Sequence, residues 1–320
     1  MNRFPFRATF AVIVLLTVAA AAASKDKGPV QKAWALVVKG PVDVYPKSSR
    51  GKKVLAHLSA GALLPAFKTK TAGGRGWTQV RVMPPGTLEV KMGWTESSRL
   101  DELPLDRYPP DSDLETLLGG EYLQDVNARY TQMARFLVRL GSGETALVCY
   151  IGSVFIPHTR LQVFEQQGGK WVAGPHLEFL SSQMQTGVTE IEVRDLLGDG
   201  NECLITHEPF AQTFGTSGVN LVIRRLEAGK FKTLWQAPLD LRNLTSYAPK
   251  TKVLDPPVEN VGAPGTVTTG SVDYQTSGRV REPVWKGKVE FFVPGREAPV
   301  ETLKVEKVCK WNGSEFAPLK

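Results

Sequence analysis

A segment of this chain recurs at an offset of 57 residues, and this repeat constrains the fold more than any other feature of the sequence. The stretch "LGSGETALV" at 140–148 aligns without gaps with "LGDGNECLI" at 197–205. Each copy is followed by a β-rich run, a turn and an aromatic residue, Trp171 in the first and Phe231 in the second. A third, less regular copy runs from Gly287 to Phe316. Units of this size predict four-stranded blades or hairpin pairs that bury their faces against one another.

We therefore predict a β-repeat domain over residues 135–320, either propeller-blade-like or sandwich-like. A closed propeller needs at least about four blades, so an open stack or a sandwich stays an equal alternative for three units. The phrase "VRDLLGDGNECLI" resembles the integrin-type or VCBS-like repeats of secreted bacterial proteins. That resemblance implies a β-repeat domain that works outside the cytoplasm.

Residues 33–101 alternate short β-rich runs with turn clusters, and the chain as a whole reads as all-β. The runs "VDVYPKSS", "KVLAHL", "GWTQVRV" and "GWTESSRL" follow one another in this part of the sequence. About five strands in so short a stretch predict a small barrel. Their order resembles the bacterial SH3-like (SH3b) domain of secreted and cell-wall proteins. The resemblance implies binding of a cell-wall peptide or glycan, or of an envelope protein, and implies no chemistry.

Two Gly-Trp pairs in this part raise the question of a ligand surface. Side chains alternate along a strand, so if Val80 is in the core, Trp77 lies on the more exposed face of "GWTQVRV". Trp77 is thus the candidate for a ligand contact, with Tyr45 and Phe67 as aromatic neighbours, although a framework role is an equal alternative. Trp94 is expected to be framework.

The segment from 102 to 134 is predicted to be a linker with a short helix. It begins with the acidic, proline-rich stretch "DELPLDRYPPDSD", which is typical of a connection between domains. Ser112 or Asp113 can cap a helix there, and Gly119-Gly120 interrupts it.

Residues 1–23 have the pattern of a secretory signal peptide. Arg3 and Arg7 precede an uncharged run that ends in alanines, as such peptides do. The run is shorter than the roughly 20 residues of a spanning helix, so an uncleaved anchor is the weaker alternative, and no other stretch is long and apolar enough to span. The expected location is the periplasm or the medium, with no membrane span after cleavage.

The charge of the chain argues against a nucleic-acid partner. Removing Arg3 and Arg7 from the 39 basic residues leaves 37 against 32 acidic ones. The sequence shows no long Lys/Arg run and no nucleic-acid motif, so a dispersed, solvated basic surface is expected. Such a surface is compatible with weak attraction to an anionic cell envelope.

The three cysteines, Cys149, Cys203 and Cys309, all stand in strand-like runs. They are expected to be buried as small hydrophobic residues. One disulfide with one thiol left over is the alternative in an oxidising compartment.

An acidic loop in the second repeat copy is a candidate calcium site. Asp195, Asp199 and Glu202 lie within eight residues of one another, interleaved with glycines, and carboxylate oxygens are the ligands that Ca²⁺ prefers. The first copy has Val138, Ser142 and Thr145 at the equivalent positions, so the repeat keeps its glycines and loses its carboxylates. A tight turn is therefore the competing interpretation.

Signatures of enzymes are missing from the sequence. No zincin, nucleophile-elbow or phosphate-loop motif is present. We predict a non-catalytic extracytoplasmic binding or adaptor protein that contacts the bacterial envelope through its SH3-like part. The alternatives are a wall or carbohydrate hydrolase with dispersed carboxylates such as Asp195 and Glu208, and a Ca²⁺-stabilised structural module.

Overall fold

The structure is a computed structural model, and it describes most of the chain after the predicted signal peptide. The described residues are 29–82, 90–118, 131–140, 144–153, 158–180, 188, 190–212, 216–243, 265–292 and 298–318. Strands make up about 69% of the structure and helix about 5%, which confirms the all-β class. No sheet of the described part closes into a barrel.

A nine-stranded antiparallel sheet, sheet 1, contains the N-terminal part together with the first repeat unit. Its path runs β11-β10-β9-β8-β4-β1-β7, and β5 joins β4 to β6. A separate pair, β2 (Val42–Val44) and β3 (Ala56–Leu58), adjoins it. The strands of sheet 1 are β1 Ala33–Val37, β4 Ala62–Ala72, β5 Arg75–Val82, β6 Lys91–Glu96, β7 Leu100–Leu103, β8 Thr131–Arg139, β9 Thr145–Ser153, β10 His158–Gln167 and β11 Lys170–Leu180.

The remaining strands form an eight-stranded meander, sheet 2, in which each strand pairs with the next one along the chain. Its strands are β12 Glu190–Arg194, β13 Cys203–Gln212, β14 Thr216–Glu227, β15 Lys230–Asn243, β16 Thr266–Ser277, β17 Val280–Phe291, β18 Glu301–Trp311 and β19 Phe316–Pro318.

The internal repeat corresponds to two four-stranded antiparallel units, β8–β11 and β12–β15. The predicted hairpins are present as β10–β11 and β14–β15, closed by Gly168-Gly169 and Ala228-Gly229. The third copy differs, because Gly287 does not lie in a turn but pairs with Val305 inside β17. A side chain at Gly287 would meet the Trp285 ring, so this glycine makes room for an indole. Among the described strands, the first unit belongs to sheet 1 and the second to sheet 2.

The N-terminal part and the first repeat unit share sheet 1 through β4. Ala62 and Leu63 pair with Phe136 and Arg135 of β8, while Leu63 also pairs with Leu36 of β1. Strands from before and after the segment 102–134 are thus hydrogen-bonded to each other in one sheet, although the sequence suggested this segment as a linker between domains. The proposed division at residues 33–101 and 135–320 stays a prediction.

Sheet 1 is covered on both faces, which explains its continuous apolar runs. In β8 and β9, Phe136, Val138 and Val148 enter a core that also holds Ile191, Val193 and Leu204 of sheet 2. Leu137, Leu147 and Cys149 face the opposite side and pack with Tyr108 and Leu114. A third core lies within sheet 2 around Ile205, Leu221, Ile223, Leu234 and Cys309.

One short helix, α1 (Asp111–Leu117), lies in the segment 102–134 and ends before Gly119-Gly120. Its Leu114 is fully buried against sheet 1. In the described part of the chain, no helix has the length and apolar character needed to cross a membrane. The predicted signal peptide lies outside the described residues.

Candidate functional site

The tryptophan chosen as a ligand contact is buried. Trp77 is 2% exposed, and its indole N–H donates to the carbonyl of Ala72 at 3.2 Å. Trp77 does lie on the more exposed face of β5, which it shares with the half-buried Gln79 and Arg81, but its own indole is covered. Trp77 and Val80 lie on opposite faces of β5, as the alternation of side chains predicts. The Tyr45 ring covers the outer face at Trp77, and the centroids of these two rings are 6.1 Å apart.

Tyr45, Trp77 and Trp94 form one aromatic cluster on the outer face of β5 and β6. Trp94 pairs with Gln79, two residues from Trp77, and its backbone exchanges two hydrogen bonds of 2.8 Å with Tyr45. The hydroxyl of Tyr45 donates to Asp43 at 3.0 Å. Burial, followed by this hydrogen bond to Asp43, raises the pKa of Tyr45.

Phe67, the third predicted ligand contact, is also buried. It lies where the β4–β5 register shifts between Ala66 and Lys68. Tyr45, Phe67 and Trp77 therefore have little surface to offer a partner in this structure. Their proposed role in ligand contact stays a prediction.

Two lysines of β4 cover the aromatic cluster on its solvent side. The ammonium of Lys70 lies 4.3 Å from the centroid of the Trp94 ring, and that of Lys68 lies 5.6 Å from it. Both distances are within the range of a cation–π interaction. Both side chains are exposed, and no carboxylate of the described residues forms an ion pair with either of them.

Two arginines on the same side converge on one carboxylate. Arg50 donates two hydrogen bonds to Glu96, at 2.9 and 3.1 Å, and Arg75 donates a third at 2.7 Å. The hydrogen bonds from Arg50 and then Arg75 hold the pKa of Glu96 below its usual value, while burial opposes them. Glu96 thus neutralises only part of the surrounding charge.

These groups form what we call the basic face. Lys52 and Lys53 are exposed, and they lie in the chain between Arg50, which binds Glu96, and Val54, which packs on the aromatic cluster. The basic face consists of Arg50, Lys52, Lys53, Lys68, Lys70 and Arg75, around Trp94 and Glu96.

Sequence reasoning missed the basic face because it judged charge by runs of adjacent residues. The "GKK" and "KTK" groups are too short to stand out, and the fold brings them together through loop 46–54 and strand β4. The sequence signal that could have revealed the basic face is the complete absence of Asp and Glu from residues 44–88. The charge excess of the chain is therefore concentrated in this part.

The acidic loop uses its carboxylates to hold a turn and two ion pairs. Asp195 accepts from the backbone N–H groups of Gly198 and Gly200 at 2.7 and 3.0 Å. Asp199 accepts from Arg225, and Glu202 from Arg139, each at 2.8 Å. No group of three or more metal-ligating side chains occurs among the described residues. The geometry matches the turn interpretation, and calcium at Asp195, Asp199 and Glu202 stays a hypothesis.

The two carboxylates suggested for a hydrolase are far apart. Asp195 follows Arg194, which pairs with Cys203, and Glu208 stands five residues further along β13, or about 17 Å. Paired carboxylates of glycosidases lie roughly 5 to 9.5 Å apart. Glu208 is instead held by both nitrogens of the Arg224 guanidinium. The structure does not bring Asp195 and Glu208 into one site.

All three cysteines are buried, and none of the three forms a disulfide. Cys149 lies in the core between sheet 1 and α1, whereas Cys203 and Cys309 lie within sheet 2. Burial raises the pKa of Cys203 to about 12. The disulfide that the sequence allowed as an alternative is therefore not formed between any two of these residues. A thiol with the pKa of Cys203 is a poor nucleophile at neutral pH.

Comparison of the chain with protein-family models, with curated proteins and with solved structures found no match.

Proposed function

We propose that this chain is a non-catalytic binding or adaptor protein of the periplasm or extracellular space, and that the basic face contacts an anionic component of the bacterial envelope. The single observation that carries the proposal is the pair Lys68 and Lys70. Both ammonium groups are exposed, lack an ion-pair partner among the described residues, and lie over Trp94.

The electrostatics favour a polyanion over a neutral ligand. Two of its six cations, Arg50 and Arg75, pair with Glu96, and Asp43 beside Tyr45 is the other carboxylate of this region, so the basic face carries a net positive charge. A concentrated charge of this kind attracts polymers of the opposite sign and raises the rate at which they associate. Trp94 is buried beneath the lysines, and its ring holds their ammonium groups on the solvent side through cation–π contacts.

This proposal keeps the envelope contact in the SH3-like part but assigns it to different side chains. Tyr45 and Trp77 would support the basic face from beneath, and the lysines would contact the partner. The proposed partner is the anionic part of a cell-wall peptide or glycan. The signal peptide and the SH3-like resemblance support this location and partner from the sequence.

Retention on purified bacterial cell wall tests the proposal. The test uses residues 24–320, because β4 is paired with β8 and a fragment ending at residue 101 would lose that partner. We expect retention at 50 mM salt, a fall at 500 mM salt, and a drop of about tenfold at 50 mM in a Lys68→Gln, Lys70→Gln variant.

The matched control is Lys304→Gln with Lys307→Gln, which removes the same charge from exposed positions on β18. If this control loses as much retention as the Lys68/Lys70 variant, the binding reflects net charge and the basic face is not the site. Retention that is unaffected by either pair of substitutions would equally overturn the proposal.

A further inference from the structure

A second feature, a cleft of about 610 Å³ in sheet 2, lies away from the basic face. One wall is strand β12, and the other is the hairpin of β16 and β17. The N–H of Arg281 donates to the carbonyl of Leu196 at 2.7 Å, which ties the hairpin to the end of β12. Volumes of this order are typical of small-molecule and peptide sites.

Strand β12 turns all of its charged side chains toward this cleft. Glu190, Glu192 and Arg194 stand directly opposite His207, Ile205 and Cys203 of β13, and residues opposite each other in a sheet share a face. Ile191 and Val193, between them, enter the core shared with sheet 1. The floor of the cleft includes the apolar side chains of Ile205, Leu221 and Val272.

The end of the cleft at Glu190 is acidic. The carboxylate of Glu190 lies 3.2 Å from Nδ1 of His207 and is 65% exposed. Glu192, in the middle of the strand, forms an ion pair with Arg194. Of the two carboxylates of β12, Glu190 is therefore the more accessible to a ligand. Asp273, the third carboxylate of the lining, forms an ion pair with Lys286.

The opposite end is basic. The guanidinium of Arg194 lies 4.9 Å from the centroid of the Tyr274 ring. Arg281 is opposite Thr276, two residues from Tyr274 on the same face of the hairpin. Arg281 is exposed, and no described carboxylate forms an ion pair with its guanidinium. The buried hydroxyl of Tyr274 also lacks a hydrogen-bond partner in the described part of the chain.

The distance between the acidic end and the basic end of the cleft is close to the length of a short extended peptide. Glu190 and Arg194 are separated by four residues of extended strand, or about 13 Å, and Arg281 is tied to the Arg194 end through Leu196. Four extended residues of a ligand chain span roughly 13 to 14 Å. We propose that the cleft binds a short zwitterionic peptide of about four residues, with its ammonium group at Glu190 and its carboxylate at Arg281.

This inference does not depend on the basic face, and the two sites can be tested separately. The probe is unblocked tetra-alanine, compared with N-acetyl-tetra-alanine, which lacks the ammonium group, and tetra-alanine amide, which lacks the carboxylate. Calorimetric titration of residues 24–320 should give binding of tetra-alanine that is about tenfold tighter than that of either blocked peptide.

Two variants identify which end of the cleft binds the ammonium group of the peptide and which end binds its carboxylate. Glu190→Gln should weaken the binding of tetra-alanine but leave the affinity for N-acetyl-tetra-alanine unchanged. The acetylated peptide has no ammonium group, so it makes no contact with Glu190 that the substitution could remove. Arg281→Gln should weaken tetra-alanine binding and leave the amide unaffected. The Lys68→Gln, Lys70→Gln variant serves as the control and should bind tetra-alanine like the natural chain.

Both substituted side chains are exposed, so both variants should fold, and an unchanged melting temperature checks this. The absence of tetra-alanine binding at millimolar concentration would overturn the inference. Equal affinity for the three peptides, or an equal loss for all three in both variants, would overturn it as well.

Discussion

Glu202 holds Arg139 by both its backbone and its side chain. The carboxylate accepts from the backbone N–H of Arg139 at 2.8 Å and from its guanidinium at 2.8 and 3.1 Å. The backbone N–H of Glu202 donates to the carbonyl of Arg139 at 2.9 Å. Arg139 ends β8 and Glu202 precedes β13, so this pair joins the two repeat units where sheet 1 meets sheet 2.

Removing the carboxylate should weaken this junction. Glu202 is only 13% exposed, although Arg139 is 70% exposed and its charge is partly screened. Glu202→Ala is expected to lower the free energy of unfolding by about 1 to 2 kcal/mol, measured by urea denaturation. Glu227→Ala, which breaks surface ion pairs to Lys232 and Arg225, is the control and should cost under about 0.5 kcal/mol.

The Glu96 carboxylate should make the stability depend on acid pH. Its pKa is lower in the folded chain than in the unfolded one, so the interaction stabilises at pH above the unfolded value and is lost as the pH falls through the folded value. Glu96→Gln should therefore be less stable than the natural chain at pH 7, and the difference should shrink below about pH 4. Denaturation across pH 2 to 8 measures this, and a difference that grows in acid would contradict it.

Two glycines of the acidic loop allow a matched comparison. Gly198 and Gly200 both have positive φ angles, of 66° and 82°, but only at Gly198 would a Cβ collide with backbone, namely the carbonyl oxygen of Arg279. Gly200→Ala should cost about 1 kcal/mol for the left-handed backbone. Gly198→Ala should cost about 1 to 3 kcal/mol more because the β16–β17 hairpin must move. Equal losses in urea denaturation would show that the loop does not pack on the hairpin as described.

The cysteines should be protected in the folded chain. Because all three are buried and the pKa of Cys203 is about 12, almost no thiolate is available at pH 8. Titration with a thiol-reactive disulfide reagent should detect no fast-reacting thiol before denaturation and three after it. One thiol after denaturation would indicate a disulfide instead.

The elements that the sequence predicted are those set by local signals. The two hairpins turn at glycines a few residues before Trp171 and Phe231. The alternation of side chains placed Trp77 and Val80 on opposite faces of β5. Alternation cannot say whether an outer face is covered, and Tyr45, more than 30 residues away, is what buries Trp77.

The features that sequence reasoning missed depend on contacts between distant strands. No local pattern encodes the pairing of Leu63 with Arg135, because several strands of similar composition compete for the same edge. Strand β12 has only five residues, and its charged row only three, too few to show a period. The row becomes a wall of the cleft only when Arg281 meets Leu196.

The pairing of β4 with β8 also has a consequence for biosynthesis. Ala62 leaves the ribosome 74 residues before its partner Phe136, and at about 5 to 20 residues per second this delay is several seconds or more. During that time the first residues of β4 present an open edge, which is a template for pairing with other chains. The nascent N-terminal part therefore has a period of vulnerability to aggregation that ends only when the first repeat unit arrives.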